Sequence, residues 1–124
     1  GQTASTDLPN RTGGAQASYA GSQDGFAAQF NAALTSNIQS SYYGGAAIDE
    51  IRGMTLGLGQ NVYVIGYTQS TDLPSGTGRA QAATGGAQDG FVAGFDLSSS
   101  GGSAAPPGKH IGGGCFLTTA RRRR

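Results

Sequence analysis

Apolar and polar positions alternate in five short runs, and glycine or another turn residue stands at most boundaries between them. The runs are Phe26–Phe30 (FAAQF), Ile38–Tyr43 (IQSSYY), Ile51–Leu56 (IRGMTL), Asn61–Tyr67 (NVYVIGY) and Phe91–Phe95 (FVAGF). A period of two, carried by β-branched and aromatic residues between glycine punctuation, predicts strands. In FAAQF both phenylalanines fall on one face, and in IRGMTL Ile51, Gly53 and Thr55 oppose Arg52, Met54 and Leu56. The first four runs follow one another at short and similar spacing, as in an antiparallel meander. Gly57-Leu58-Gly59-Gln60 supplies a hairpin turn between the third and fourth.

The pattern then repeats. Residues 1–30 and 66–95 align without a gap at an offset of 65 and agree at 19 of 30 positions. Self-similarity at such a period marks a repeat architecture, whose unit does not bury its apolar face alone. The expected organisation is a β repeat region over residues 1–97, holding one full repeat and the start of a second. A Gly/Ser/Pro linker over 98–108 and a C-terminal tail over 109–124 follow. Residues 1–25 and 68–90 read as long loops. Gly1 aligns with Gly66, inside a repeat, so the chain is expected to begin partway through a unit.

Composition sharpens this picture. Glycine supplies 23 of 124 residues and charged residues only 12%, which argues against helices and for tight turns. Arg121–Arg124 provide four of the eight basic residues, leaving four against seven acidic ones, a net −3, in residues 1–120. The body has no basic patch with interleaved aromatics, so nucleic acid is not an expected partner. One cysteine and one histidine exclude an internal disulfide and are too few for a closed zinc site. No run approaches the ~20 apolar residues of a spanning helix.

Several motifs carry a resemblance. Asp24-Gly25-Phe26, Tyr43-Gly44-Gly45, Asn61–Gly66, Ser70–Pro74 and Asp89–Phe95 resemble, in type and order, the stations of the bacterial SBBP repeat, a β-propeller family. The resemblance spans roughly residues 1–97. It implies an all-β fold in which the first four runs form an antiparallel four-stranded propeller-blade-like sheet. Phe91–Phe95 would then open a partial second repeat, with long Gly-rich loops and a flexible tail. It further implies an exported bacterial protein, extracellular or at the cell surface. The tail Gly112–Ala120 (GGGCFLTTA) resembles a Gly-rich Cys-Phe-Ile sorting box, which makes Cys115 the candidate for processing or anchoring.

Candidate chemistry is sparse. Asp24 and Asp89 precede Gly-Phe in both copies, either as metal or ligand contacts or as acceptors of backbone N–H bonds at a strand entry, the latter favoured. Asp7 and Asp72, in Ser-Thr-Asp-Leu-Pro, take the same reading. Asp49-Glu50 is the only adjacent acid pair, and a solvated loop end is expected for it. His110 has no preorganised partner, Cys115 included, and no catalytic residue or cofactor is expected. Asn10-Arg11-Thr12 is a glycosylation sequon.

A lone four-stranded sheet has two open edges and two broad faces. Each ordered residue costs about 1.5 kcal/mol of conformational entropy, against about 25 cal/mol per Å² of apolar burial. Small side chains such as Ala, Gly and Ser return little. The expected function is a non-enzymatic extracellular structural protein that assembles through β-sheet edges and faces into a fibre or ring on the bacterial surface. Phe91, Val92 and Phe95 are its expected assembly residues, by adding a strand to a neighbour's sheet. Copies of itself are the expected partner, with cell-surface polysaccharide a further one. The alternative is a fragment of a larger β-propeller acting as a carbohydrate- or protein-binding module.

Overall fold

The computed structural model describes residues 1–57, 61–74, 85–96 and 115–116. The described residues form an all-β structure without a helix. Its strands are β1 (Gln2–Thr3), β2 (Asp24–Phe30), β3 (Asn37–Tyr43), β4 (Asp49–Leu56), β5 (Asn61–Thr68), β6 (Asp89–Asp96) and β7 (Cys115–Phe116). All five predicted runs are strands, each somewhat longer than its run. The linker over 98–108, His110 and Arg121–Arg124 lie outside the described residues.

Two antiparallel sheets result, with orders β1-β2-β3 and β4-β5-β6-β7. The four runs expected to share one sheet are therefore divided between two, and β6 lies inside the second sheet rather than opening a separate one. The division falls at Tyr43-Gly44-Gly45, and close packing there explains it. A Cβ at Gly44 would stand 2.5 Å from Asp24 Oδ1 and 2.9 Å from Asp49 Oδ2. Only glycine lets the chain pass between these carboxylates and leave the first sheet.

The repeat is visible in the ladders. Gln2 and Thr3 pair with Gly25 and Asp24; at the repeat offset, Tyr67 and Thr68 pair with Gly90 and Asp89. β1 thus stands to β2 as the end of β5 stands to β6. On the other side, Ala27 pairs with Ser41, the next strand in the chain, and its counterpart Val92 pairs with Phe116. β7 occupies the place of β3 and is reached by a longer connection.

Strand β4 departs from simple alternation. The register with β5 shifts between Ile51 and Gly53, so Arg52 has no opposite residue. This bulge places Met54 and Leu56 on the same side of the sheet as Asp49 and Ile51, opposite Val64 and Val62, but beyond the cover of the first sheet, so both remain exposed. The expected row of Ile51, Gly53 and Thr55 on one face is broken there. A second shift in β2–β3 leaves Ile38 unpaired.

The core is the contact between the sheets. Ala27 and Tyr43 come from the first, and Ile51, Val62, Val64, Phe91 and Ala93 from the second, with Leu73 joining from the loop after β5. The Tyr43 and Phe91 rings lie 5.0 Å apart, tilted by 40°. A Cβ at Gly25 would stand 2.9 Å from Ile51 Cγ1, so the missing side chain sets how closely the sheets approach. Full burial of side chains such as Val64 and Phe91 stabilises the contact by roughly 1.5–3 kcal/mol each.

Candidate assembly surface

Strand β5 sits between β4 and β6 and alternates cleanly. Val62, Val64 and Thr68 are buried, while Tyr63 and Ile65 point away from the first sheet and are 43% and 54% exposed. Their neighbours on this outer face are small: two glycines, Thr55 opposite Tyr63 on β4, and Val92. Gly53 and Val92 flank Ile65, and Gly94 lies opposite Tyr63. A Cβ at Gly94 would be 3.0 Å from Tyr63 Cε1, and one at Gly53 would be 3.2 Å from Ile65 Cγ1. One at Gly57 would collide with the Tyr63 ring. The large side chains lie over glycines, which makes the face flat as well as apolar. A contiguous apolar patch on a sheet face is an interaction surface in type.

The patch has a charged border. Arg52 Nε donates to Glu50 Oε1 at 2.7 Å, and its guanidinium lies 5.2 Å from the centre of the Tyr67 ring. The Arg52 side chain is largely exposed, so this pair orders the rim and adds little stability.

The first sheet has a matching outer face. Phe26, Ala28 and Phe30 alternate with Gly25, Ala27 and Gln29 along β2 and point away from the second sheet. Phe26 and Ala28 are half-buried and Phe30 is 47% exposed. Part of this face is covered from within. Tyr42 is fully buried, its hydroxyl donating to Ser5 O and accepting from Leu8 N–H, with Tyr19 packed edge-on at 5.8 Å.

The sheet edges are less open than expected. Asn10 and Gln16 carbonyls accept from the Ser40 and Tyr42 amides along β3, and the Gly1 and Gln23 carbonyls accept from Ile51 and Asp49 along β4. β6 is bordered by β5 on one side and by β7 at Val92 and Ala93 on the other. Phe91 is 2% exposed in the inter-sheet core and so is committed within the chain. Val92 is half-buried on the outer face, and the Phe95 side chain lies outside the described residues. Phe91 is thus taken up within the chain, and β7 pairs with β6 at Val92 and Ala93, which leaves the outer sheet faces as the broadest surfaces among the described residues.

Three carboxylates gather where the sheets meet. Asp24 and Asp49 are fully buried, contrary to the solvated loop end expected for Asp49-Glu50. Asp24 opens β2 and its Oδ2 accepts from Ala20 N–H at 2.9 Å; in the second copy Asp89 Oδ2 accepts from Gly85 N–H at 2.6 Å. Asp49 Oδ2 accepts from Gly45 N–H and from Ser70 Oγ, each at 2.7 Å. Ser70 Oγ and Asp72 Oδ1 accept from the Ala47 and Ala46 amides, both at 2.9 Å. Together these groups clasp the Gly44–Ala47 turn. Asp7, by contrast, accepts from the nearby Ser5 hydroxyl on an exposed loop.

One oxygen each of Asp24 and Asp49 has no hydrogen-bond partner. Burial pushes the Asp24 carboxyl above the usual carboxylate range, with further upward pressure from Asp49 and Asp72, while the Ala20 and Gly21 amides act the other way. The arrangement can hold a proton at Asp24. Among the described residues no group of three His, Cys, Asp or Glu side chains has metal-holding geometry.

Cys115 opens β7 opposite Ala93. Asn10 lies in an exposed turn with a left-handed backbone (φ 52°), its amide donating to Asn37 O. Sequence reasoning missed Ser70 and Gly44–Gly45 as parts of one clasp, because Ser70 is distant in sequence from the turn it holds. The recurrence of Ser-Thr-Asp-Leu-Pro was the available signal. Comparison with protein families, with curated proteins and with solved structures finds no match.

Proposed function

We propose that this chain is a non-enzymatic structural module whose β-sheets stack face to face with further copies of its own unit. The reading rests on one pairing: two outer sheet faces with exposed apolar side chains, Tyr63 and Ile65 on one sheet and Phe30 beside half-buried Phe26 and Ala28 on the other, on a repeat that already stacks its sheets internally. In this reading the two sheets are successive blades of a propeller-like stack, and the SBBP-like motifs are the stations of that stack. The same resemblance supports a location outside the cell or at the bacterial surface. The route of assembly is through faces, since carbonyls of the same chain occupy much of the β3 and β4 borders. Sedimentation velocity of the purified chain over a wide micromolar range, with electron microscopy of the same samples, tests the reading. Concentration-dependent oligomers, as fibres or rings, are expected; a monomer throughout the range contradicts it.

A further inference from the structure

Resting on that assembly reading, we propose that the stacking is polar, with the outer face of β4–β6 of one copy receiving the Phe26–Ala28–Phe30 face of the next. The contact inside the chain is the template. There, Phe91 and Ala93 of β6 pack on the side of the first sheet that carries Gly25, Ala27 and Tyr43. An offset of 65 turns each partner into an outward-facing residue. Phe91 and Ala93 correspond to Phe26 and Ala28, which face outward on the first sheet. Gly25 and Ala27 correspond to Gly90 and Val92, which face outward on the second. The chain therefore presents the phenylalanine-bearing face on one side and the glycine-bearing face on the other. These are the two halves of a contact it has already made once.

The shapes agree with the assignment. The glycine-bearing face is flat because Gly53 and Gly94 leave room beside Ile65 and Tyr63, as Gly25 leaves room for Ile51. On the phenylalanine-bearing face Phe30 is 47% exposed, at the end of β2 away from Tyr42 and the loop that covers it. Two unlike faces give a head-to-tail contact, which propagates until it closes or forms a filament; a symmetric back-to-back dimer would join like faces. The occupant of the glycine-bearing face is accordingly a second copy of this chain, continuing the stack begun within the first.

Two single variants test this, Ile65→Glu on the glycine-bearing face and Phe30→Glu on the phenylalanine-bearing face. Both positions are about half exposed, so each variant should keep the wild-type far-ultraviolet spectrum. Each alone should sediment as a monomer, because a polar chain needs both faces on every copy. Mixed at equal concentration, they should form a 1:1 dimer and stop there, because only one intact face of each kind remains. Ile65→Ala should weaken assembly at least tenfold without abolishing it. If wild type is itself monomeric, the assembly reading fails and takes this inference with it. If wild type assembles but the mixture forms no dimer, or Ile65→Glu still assembles, the face assignment fails while assembly stands. Loss of assembly in Ile65→Glu with none in Phe30→Glu would mean a symmetric contact and would also overturn it.

Discussion

Replacing Phe91 by alanine removes the largest apolar side chain that the second sheet places against the first. The ring is 2% exposed and lies 5.0 Å from Tyr43 across the inter-sheet contact. Deleting a buried phenylalanine costs about 3–5 kcal/mol, the upper part arising where the surroundings do not collapse into the space. Collapse is limited here by the two sheet backbones. Of that loss, about 0.5–1.5 kcal/mol belongs to the aromatic pair itself. A domain of this size is stable by about 5–15 kcal/mol, so the variant sits near the edge of folding. Phe91→Leu keeps much of the volume and should cost about 1.5 kcal/mol or less. Urea denaturation followed by far-ultraviolet circular dichroism gives both values, since the chain has no Trp to report fluorescence. A double-mutant cycle with Tyr43→Leu isolates the pair. A Phe91→Ala cost under about 1 kcal/mol, well below the range for a buried ring, would refute the view that the sheets are held by this contact. So would a cycle with no coupling.

Other variants probe the clasp and the turns. Asp24→Asn tests the buried carboxyl. Because burial raises the Asp24 pKa in the folded chain, its stabilising contribution is present below the ordinary carboxylate value and is lost as pH rises through the raised one. The variant should therefore gain on wild type as pH rises from the acid side of that window to neutrality, as read from paired melting curves; a constant or opposite difference contradicts the shift. Ser70→Ala leaves the Ala47 amide and a buried Asp49 oxygen each short of a partner, and should cost about 1–3 kcal/mol in urea titration. Leu34 is exposed and left-handed (φ 56°), so Leu34→Asn should raise stability by up to about 1 kcal/mol, and a lower melting temperature would argue against strain there.

The strands were legible because their information is local. FAAQF, IQSSYY and NVYVIGY carry a period of two in their own letters, whereas β1 fell within a segment read as a long loop, and the register it shares with the end of β5 was seen only in the ladders. The grouping of strands was not legible, since the division depends on Gly44 passing between Asp24 and Asp49, residues far apart in sequence. For the same reason Asp49 was misplaced at a solvated end. Its burial is set by Gly45 and Ser70, and nothing adjacent to it signals that. The bulge at Arg52 likewise re-aims β4 so that Ile51 and Met54 share a face, which the letters IRGMTL do not announce. The role of Phe91 moved from neighbour-binding to internal packing because the sequence shows that the residue recurs and leaves open which copy meets a partner within the chain.

Polar stacking of copies has one direct measurement. Tyr63 is replaced by a photo-reactive benzoylphenylalanine, and the protein is mixed with isotopically heavy wild type before irradiation and peptide mapping. Stacking of the kind proposed predicts cross-links that join the light residue-63 peptide to the heavy peptide carrying Phe26–Phe30. Cross-links confined to single chains, or joining the 63 position to its own counterpart in another copy, would contradict it.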